Sequence, residues 1–232
     1  MNRKRQSKHL IVAIDGPAGS GKSTTAKELA RKLGYLYLDT GAMYRAFALK
    51  VLQEKIDPDD ETALNRLAEQ TQILLRPDAG GICVFLDGKD VTDKIRTPEI
   101  DRLVSRVSRV KAVRDRMVEL QREIGKNGGI VAEGRDIGTV VFPQADVKIF
   151  LVASPLERAK RRLKDLRAGG IRISLEKVLA DIEQRDEIDS NRKISPLKKA
   201  EDAVEIDTTN LSIEAQGEEI YNIIKQKGLH FR

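Results

Sequence analysis

The chain has 232 residues, of which 40% are hydrophobic and 34% are charged, and its formal net charge is +6. A chain of this size can bury one core with a smaller appended lobe, and no apolar run approaches the roughly 20 residues of a membrane span. A single cysteine, Cys83, excludes a disulfide framework and a multi-cysteine zinc site. The aromatic content of 4%, without tryptophan, argues against a nucleic-acid surface of stacked rings.

Short apolar runs separated by helical patterns predict the main sheet. The runs are LIVAI at 10–14, YLYLD at 35–39, GIVAEG at 129–134, VKIFLVA at 147–153 and DAVEIDT at 202–208. Short buried strands that alternate with helices are typical of a parallel sheet covered on both faces. The sequence therefore predicts an α/β fold with a three-layer core.

The first of these runs leads directly into a loop of small residues that fits the pattern G-x-x-x-x-G-K-[ST]. Successive backbone N–H groups of such a loop form a nest for anions, and the helix that begins near Lys22 adds the positive end of its dipole. The Lys22 ammonium can reach the β- and γ-phosphates, and the Ser23 hydroxyl can ligate Mg²⁺. The residues expected to bind ATP here are Gly16, Pro17, Ala18, Gly19, Ser20, Gly21, Lys22, Ser23 and Thr24.

The middle of the chain breaks the alternation of strands and helices. Residues 72–92 contain short apolar stretches joined by Gly and Asp turns, which predicts antiparallel strands. Residues 97–125 are helical in pattern, with Thr97 as the N-cap and Pro98 at the first position, and the pattern fits either one helix or two. We therefore expect an inserted α+β lobe over 57–112, in a core formed by 1–56 and 113–232.

The loop alone leaves three classes of protein open: a switch GTPase, an ATPase motor and a small-molecule kinase. A GTPase of this type needs the base-reading pattern N-K-x-D, which the sequence lacks. A motor usually has an apolar strand that ends in adjacent acidic residues, whereas the strand over 129–134 is followed by Arg135 and Asp136. An arginine at that position favours a bound anion over a metal ion alone.

Phosphoryl transfer to a second phosphate needs cations on both sides of the transferred group. Arg45 follows the second predicted strand and Arg135 the third, and ligands of open α/β sheets bind at the carboxyl ends of strands. Arg185, Asp189 and Arg192 would share one face of a helix, either as part of this site or as a surface row of ion pairs.

With these motifs in place, the sequence resembles the bacterial cytidylate kinase family, nucleoside monophosphate kinases that act on CMP and dCMP. The resemblance covers nearly the whole chain, and GRDIGTVVFP is far more diagnostic than the phosphate loop. The other specific stretches are LDTGAMYRAFAL, DGKDVTDKIRTPEI and QRDEIDSNR. The family implies a parallel-sheet core, an enlarged acceptor-binding lobe and a short Arg-rich lid at about 156–170. It also implies transfer of the γ-phosphoryl group of ATP, with Mg²⁺, to CMP or dCMP.

The resemblance further implies roles for individual residues. The expected catalytic residues are Lys22, Arg45, Arg135 and Arg185, the three arginines as a clamp on the CMP phosphate. Arg158 and Arg162 of the lid would close over the ATP phosphates. The other implied CMP contacts are Thr40, Tyr44, Ser105, Arg114, Asp136, Asp189 and Arg192.

Within that set, three residues would read cytosine and two would contact the sugar. Cytosine offers an amine donor beside two acceptors, which the Asp136 carboxylate and the donors of Ser105 and Arg114 complement. Asp189, with Arg192, could accept from a ribose hydroxyl.

Two alternatives stay open beside this hypothesis. Another small-molecule kinase, for UMP, AMP or shikimate, would share the phosphate loop and differ in the acceptor pocket. A basic, ATP-regulated RNA-binding protein would use the net positive charge instead. The basic N-terminus runs into only about five apolar residues and then into glycines, so it is not a signal peptide. We therefore expect a cytoplasmic protein, and a monomer.

Overall fold

A computed structural model describes residues 9–78 and 81–227. The strands are β1 (Ile11–Asp15), β2 (Leu36–Asp39), β3 (Ile73–Asp78), β4 (Gly81–Leu86), β5 (Lys89–Asp90), β6 (Ile130–Gly134), β7 (Val147–Val152) and β8 (Val204–Asp207). The helices are α1 (Lys22–Leu33), α2 (Thr40–Gln53), α3 (Glu61–Gln70), α4 (Pro98–Val107), α5 (Lys111–Gly125), α6 (Pro155–Ala168), α7 (Leu175–Asn191) and α8 (Ile213–Gln226), and a π-helical turn spans Ile137–Val141.

The main sheet is parallel and has the strand order β2-β6-β1-β7-β8 in the described residues. Each of its strands coincides with one of the apolar runs, so the predicted α/β fold with a parallel sheet is confirmed. The register aligns Asp15 with Gly134 and Asp39 with Glu133. The carboxyl ends of β1, β2 and β6 therefore open onto one edge, where ligands of such sheets bind.

Alternate residues of β1 pack on opposite faces of this sheet, as the period of two in a strand requires. Val12 and Ile14 belong to the apolar cluster that includes α1 and α8. Ala13 belongs to a larger cluster on the other face, which includes α2 and α5. Both faces are thus covered, and the buried strands read as continuous apolar runs in the sequence.

The middle of the chain forms a second, antiparallel sheet of the order β3-β4-β5, as predicted. The helical stretch after it consists of two helices, α4 and α5, and the Thr97 side chain caps α4 by accepting a hydrogen bond from the Ile100 N–H. The cluster under α2 continues through Leu64, Val84 and Ile100 without a break. The predicted lobe therefore shares its apolar core with the main sheet, and its bounds at 57 and 112 stay a prediction.

Helices α6 and α7 form a hairpin with a small apolar cluster of its own. Ala159 and Leu163 of α6 pack against Val178 and Ile182 of α7. The predicted lid segment, 156–170, lies on α6 and the two glycines that follow it. Among the described residues, no helix combines the length and the apolar character that crossing a bilayer requires.

Candidate active site

The phosphate loop connects β1 to α1, and its backbone requires glycine at particular positions. Gly21 precedes α1 with a φ of +91°, a conformation that other residues rarely adopt. A Cβ added to Gly16 would lie 2.1 Å from the Leu151 carbonyl oxygen, on the neighbouring strand β7. The loop thus packs closely against the end of β7, and α1 begins at the residue after Gly21.

Lys22 is buried at the start of α1, and in this structure its ammonium folds back onto the loop. Its Nζ donates to the Pro17 carbonyl oxygen at 2.6 Å and to Ser20 Oγ at 3.4 Å. Burial, and then repulsion from Arg135, lower the pKa of Lys22 to about 7, against the attraction of Glu133 and Asp15. A phosphate bound in the loop would restore a full counter-charge to this ammonium.

Asp15 ends β1 and supports the segment that carries two of the predicted acceptor residues. Its two carboxylate oxygens accept from the Ile137 and Gly138 N–H groups, both at 2.8 Å. Burial raises the pKa of Asp15 to about 6, although these two hydrogen bonds oppose the shift. The sequence motifs did not single Asp15 out. The signal available was a carboxylate at the end of an apolar strand, directly before the loop.

A buried carboxylate, Glu133, lies beside the hydroxyl predicted to bind Mg²⁺. Tyr37 Oη donates to Glu133 Oε1 at 2.6 Å, and the exposed Ser23 side chain also hydrogen bonds to this carboxylate. Burial, and then repulsion from Asp39, raise the pKa of Glu133. Thr40 Oγ1 donates to the Glu133 carbonyl oxygen at 2.7 Å, so the predicted acceptor contact at Thr40 fixes the end of β6 in this structure. Thr24 is exposed on the first turn of α1.

The three arginines predicted to clamp the acceptor phosphate lie close together. Burial, and then repulsion from Arg135 and Arg45, lower the pKa of Arg185 to about 10. Arg135 Nε donates to Asp189 Oδ2 at 2.8 Å, and Arg45 Nε donates to Asp101 Oδ1 at 3.3 Å. The structure therefore brings cations from α2, from the residue after β6 and from α7 to one place, and Arg45 and Arg135 lie there as the strand-end argument predicts.

Two of the residues predicted to read the base, Arg114 and Asp136, are buried and paired with each other next to these arginines. Arg114 donates to Asp136 Oδ2 at 2.5 Å and to the Ser108 carbonyl oxygen at 3.0 Å, and its guanidinium lies 5.3 Å from the centre of the Tyr44 ring. Arg192 lies 3.7 Å from Asp136 Oδ1, too far for a hydrogen bond.

Several buried polar atoms of the predicted acceptor site lack hydrogen-bond partners. Among the described residues, buried atoms without a hydrogen bond include Tyr44 Oη, Arg114 Nε, one terminal nitrogen of Arg192 and Arg185 Nε. Buried polar groups are nearly always hydrogen-bonded, so a cluster of exceptions indicates a site for a polar ligand.

Arg192 and Ser105 lie differently from what the sequence predicts for a sugar contact and a base contact. Arg192 is not on the helix face with Arg185 and Asp189, because α7 ends at Asn191 and Arg192 has extended backbone. It still faces Asp189, with 4.0 Å between Arg192 and Asp189 Oδ1. Ser105 is half-buried on α4, and among the described residues no hydrogen bond joins its hydroxyl to Arg114 or Asp136.

The two lid arginines predicted to close over the ATP phosphates, Arg158 and Arg162, contact different parts of the site. Arg158 is buried and donates to the carbonyl oxygens of Ala18 in the phosphate loop, at 3.1 Å, and of Ala153, at 3.0 Å. It also pairs with Asp186 of α7 at 2.6 Å. Arg162 instead pairs with Asp101, on the acceptor side. Of these two arginines, Arg158 therefore contacts the phosphate loop in this structure and Arg162 does not.

Two acidic partners of the site arginines were missed by motif reading: Asp101, which pairs with Arg162, and Asp186, which pairs with Arg158. Both lie on helices, and charged residues are frequent throughout the sequence, at 34%. Nothing in the local pattern separates them from solvent-facing carboxylates, and only the packing of α4 and α7 brings them inward.

Comparison with known proteins agrees with this geometry. The family model described as "Cytidylate kinase" matches residues 12–226. The chain is 50% identical to the cytidylate kinase of Carboxydothermus hydrogenoformans over 218 residues, covering 94% of this chain and 98% of that one. It is 52% identical to that of a Geobacillus strain over 219 residues (94% and 98%), and 50% identical to that of Bacillus subtilis over 220 residues (95% and 98%). The chain therefore belongs to the cytidylate kinase family.

Proposed function

We propose that the protein transfers the γ-phosphoryl group of ATP to CMP or dCMP, giving ADP and CDP or dCDP. One observation carries this proposal beyond the family match. The phosphate loop and the cluster of Arg45, Arg135 and Arg185 share one edge of the sheet. Next to the cluster, Tyr44, Arg114 and Asp136 are buried together, and Tyr44 Oη and Arg114 Nε have no hydrogen-bond partner among the described residues. This arrangement supports the proposal, because it would suit a donor triphosphate on one side and, on the other, an acceptor that has both a phosphate and a polar base.

On the donor side, the loop N–H groups and the N-terminus of α1 would bind the ATP phosphates. Lys22 would leave its contact with Pro17 and follow the transferred group, where its charge acts most strongly in the transition state. The Ser23 hydroxyl, with the Glu133 carboxylate beside it, offers the oxygen donors that Mg²⁺ prefers. When bound with ATP, this ion would neutralise phosphate charge. Among the described residues, no group of three or more acidic, His or Cys side chains could hold a metal ion alone.

On the acceptor side, Arg45, Arg135 and Arg185 would hold the CMP phosphate and offset the repulsion between it and the ATP phosphates. The attacking oxygen of the CMP phosphate, the γ-phosphorus and the bridging oxygen that leaves with ADP would then lie in line, so that CMP attacks the γ-phosphorus directly. No residue needs to form a covalent intermediate. Arg158, which joins α6 to the phosphate loop, would help to exclude water from the transferred group.

Selection of the base would rest on the pocket formed by Tyr44, Arg114 and Asp136. The Asp136 carboxylate would accept from the cytosine amine, while Arg114 and Ser105 would donate to its acceptors. Asp189 and Arg192 lie beside this pocket and would contact the sugar. Uracil carries a carbonyl where cytosine carries the amine, so Asp136 would repel it.

The test is an ADP-release assay with ATP and Mg²⁺ and a panel of acceptors: CMP, dCMP, UMP, AMP and shikimate. We expect CMP and dCMP to give the highest kcat/KM, and release without acceptor to be far slower. Preference for AMP, UMP or shikimate would replace this proposal with another small-molecule kinase. Failure with every acceptor would contradict phosphoryl transfer to a small molecule.

The Asp136→Ala variant tests the base pocket within the same assay. Its ratio of kcat/KM for CMP over UMP should fall by about tenfold or more, because a missing hydrogen bond to the base is a large specificity loss. Asp115→Ala is the control, since Asp115 pairs with Lys111 on the exposed face of α5. An unchanged ratio in Asp136→Ala would remove Asp136 from base selection.

We also propose that the enzyme works as a monomer in the cytoplasm, where nucleotide pools are kept. A monomer is the simplest arrangement in which the α6–α7 hairpin can move over the site. Size-exclusion chromatography with light scattering measures this directly.

A further inference from the structure

Asp101 is the carboxylate at which arginines from two different elements meet. It lies in the first turns of α4, accepts from Arg45 Nε of α2 at 3.3 Å and pairs with Arg162 of α6. The Asp101 side chain is 18% exposed and that of Arg45 is 20% exposed, so water screens this contact only in part; Arg162 is more exposed, at 41%. Asp101 thus joins the acceptor-binding part of the chain to the lid.

The charge balance around Asp101 is uneven: against burial, Asp39, Asp101 and Glu133 raise the pKa of Arg45, whereas burial and repulsion from Arg135 and Arg45 lower the pKa of Arg185. Arg45, Arg162 and Arg185 hold the pKa of Asp101 below its usual range, even though burial acts in the opposite direction. Arg185 is itself destabilised by Arg135 and Arg45, and among the described residues its Nε has no hydrogen-bond partner. Asp189 pairs with Arg135 in this group of cations, and Asp101 is the carboxylate that pairs with Arg45 and Arg162.

Asp101 occupies one donor of the predicted acceptor-phosphate clamp, Arg45, and also holds the lid residue Arg162 on the acceptor side. A phosphate monoester offers three oxygens and up to two negative charges, and arginine binds it in the same fork geometry as a carboxylate. A phosphate can therefore replace Asp101 on these guanidinium groups. While Asp101 holds them, Arg45 and Arg162 are less available, so the affinity for the phosphate falls in proportion to the free fraction.

We propose that Asp101 is an internal competitor of the acceptor phosphate. Without acceptor, its carboxylate binds Arg45 and Arg162 and connects α4 to the lid; when the acceptor enters, its phosphate displaces the carboxylate. Asp101 therefore lowers acceptor affinity and sets the KM for the acceptor. The inference rests on the proposed function only in taking the displacing group to be the phosphate of CMP.

The opposite role makes the opposite prediction. If Asp101 served to hold Arg45 and Arg162 in the geometry that binds phosphate, its neutralisation would weaken phosphate binding and lower kcat. A competitor, in contrast, gives tighter binding when its charge is removed. The sign of the change in affinity therefore decides between the two roles.

The experiment compares the wild-type protein with Asp101→Asn by isothermal titration calorimetry, with the donor loop filled by Mg²⁺ and a non-hydrolysable ATP analogue. The titrants are inorganic phosphate, CMP and cytidine. We expect phosphate and CMP to bind about 3- to 30-fold more tightly to Asp101→Asn, since that range corresponds to a competent fraction of about 30% to 3% in the wild type. Cytidine, which lacks the phosphate, should bind equally to both. The KM for CMP should fall with the dissociation constant.

Two further variants serve as controls. Asp101→Glu keeps the charge and should bind phosphate like the wild type, or nearly so. Asp59→Asn removes a carboxylate that also bridges two arginines, Arg106 and Arg109, outside the predicted site, and should leave all three affinities unchanged. If Asp101→Asn does not give a folded protein by circular dichroism, Asp101→Ser serves as the second neutral variant.

Equal or weaker phosphate binding by a folded neutral variant would overturn the competitor role. The measurement with inorganic phosphate requires no turnover. It therefore stays decisive even if CMP proves not to be the acceptor, and failure of the proposed function is seen separately, in the acceptor panel.

Discussion

At the scale of single residues, the site contains cations in an unfavourable state. Lys22 is buried with a lowered pKa, and Arg185 is repelled by Arg135 and Arg45. Such groups lower the free energy of the folded protein little or not at all, because desolvation and repulsion oppose their pairing. They become favourable when phosphates enter, which is the electrostatic preorganisation that phosphoryl transfer requires.

Lys22→Ala should lower kcat by about 100-fold or more, because the ammonium acts on charge that develops in the transition state. The KM values for ATP and CMP should change much less. Steady-state kinetics at saturating CMP measures both quantities. Lys27→Ala, a substitution on the exposed side of the same helix, is the control. Near-wild-type turnover in Lys22→Ala would contradict the role assigned to the loop.

Nucleotide binding should be coupled to proton uptake by Lys22. With a pKa of about 7, Lys22 is mostly neutral at pH 8 in the free protein. Bound phosphates favour the charged form and raise this pKa, so the complex takes up close to one proton at pH 8 and much less at pH 6. Calorimetry of ATP binding in two buffers of different ionisation enthalpy measures the number. The same uptake in Lys22→Met would assign the proton to another group.

At the scale of elements, the edge of the parallel sheet positions the site, and this much could be predicted from sequence. The apolar runs specify the strands, and parallel strands bring their carboxyl ends to one edge, so Arg45 and Arg135 are expected there. What could not be predicted depends on helix packing. The two helices of 97–125, the end of α7 before Arg192, and the inward positions of Asp101 and Asp186 follow from contacts between segments distant in sequence.

Asp15 joins two such elements, β1 and the π-helical turn after Arg135 and Asp136, and its effect on stability should depend on pH. Its pKa is raised from 3.8 to about 6, so the folded state holds the proton more tightly. The stability that this adds is fully present below about pH 4 and is lost as the pH rises through 6.

The free-energy difference between wild type and Asp15→Asn should therefore shift against the wild type by about 1–3 kcal/mol between pH 4.5 and pH 8. Urea unfolding at the two pH values measures this shift. Asp60→Asn, which alters an exposed helix cap, is the control for general pH effects. A difference that does not change with pH would mean that Asp15 titrates normally in the folded protein.

At the scale of the whole molecule, the residues that the structure describes form three apolar clusters of unequal size. Two of them cover the faces of the main sheet, and the larger one continues into the antiparallel sheet and α4. The third lies only between α6 and α7, so this hairpin is held to the rest mainly by polar contacts. Few shared apolar contacts are typical of elements that move during a catalytic cycle.

Arg158 is one of these polar contacts: it binds the phosphate loop, and it also pairs with Asp186 of α7 inside the hairpin. Arg158→Gln should weaken the closed arrangement of α6 over the loop and admit water to the γ-phosphate. We expect kcat for transfer to CMP to fall about tenfold. ATP hydrolysis without acceptor should fall less or rise, so the ratio of hydrolysis to transfer increases. Separate assays of ADP release with and without CMP measure this ratio.

The control is Lys164→Gln, on the exposed face of α6, which should leave the ratio of hydrolysis to transfer unchanged. A proportional loss of both activities in Arg158→Gln would mean that this arginine supports the chemistry of transfer without excluding water.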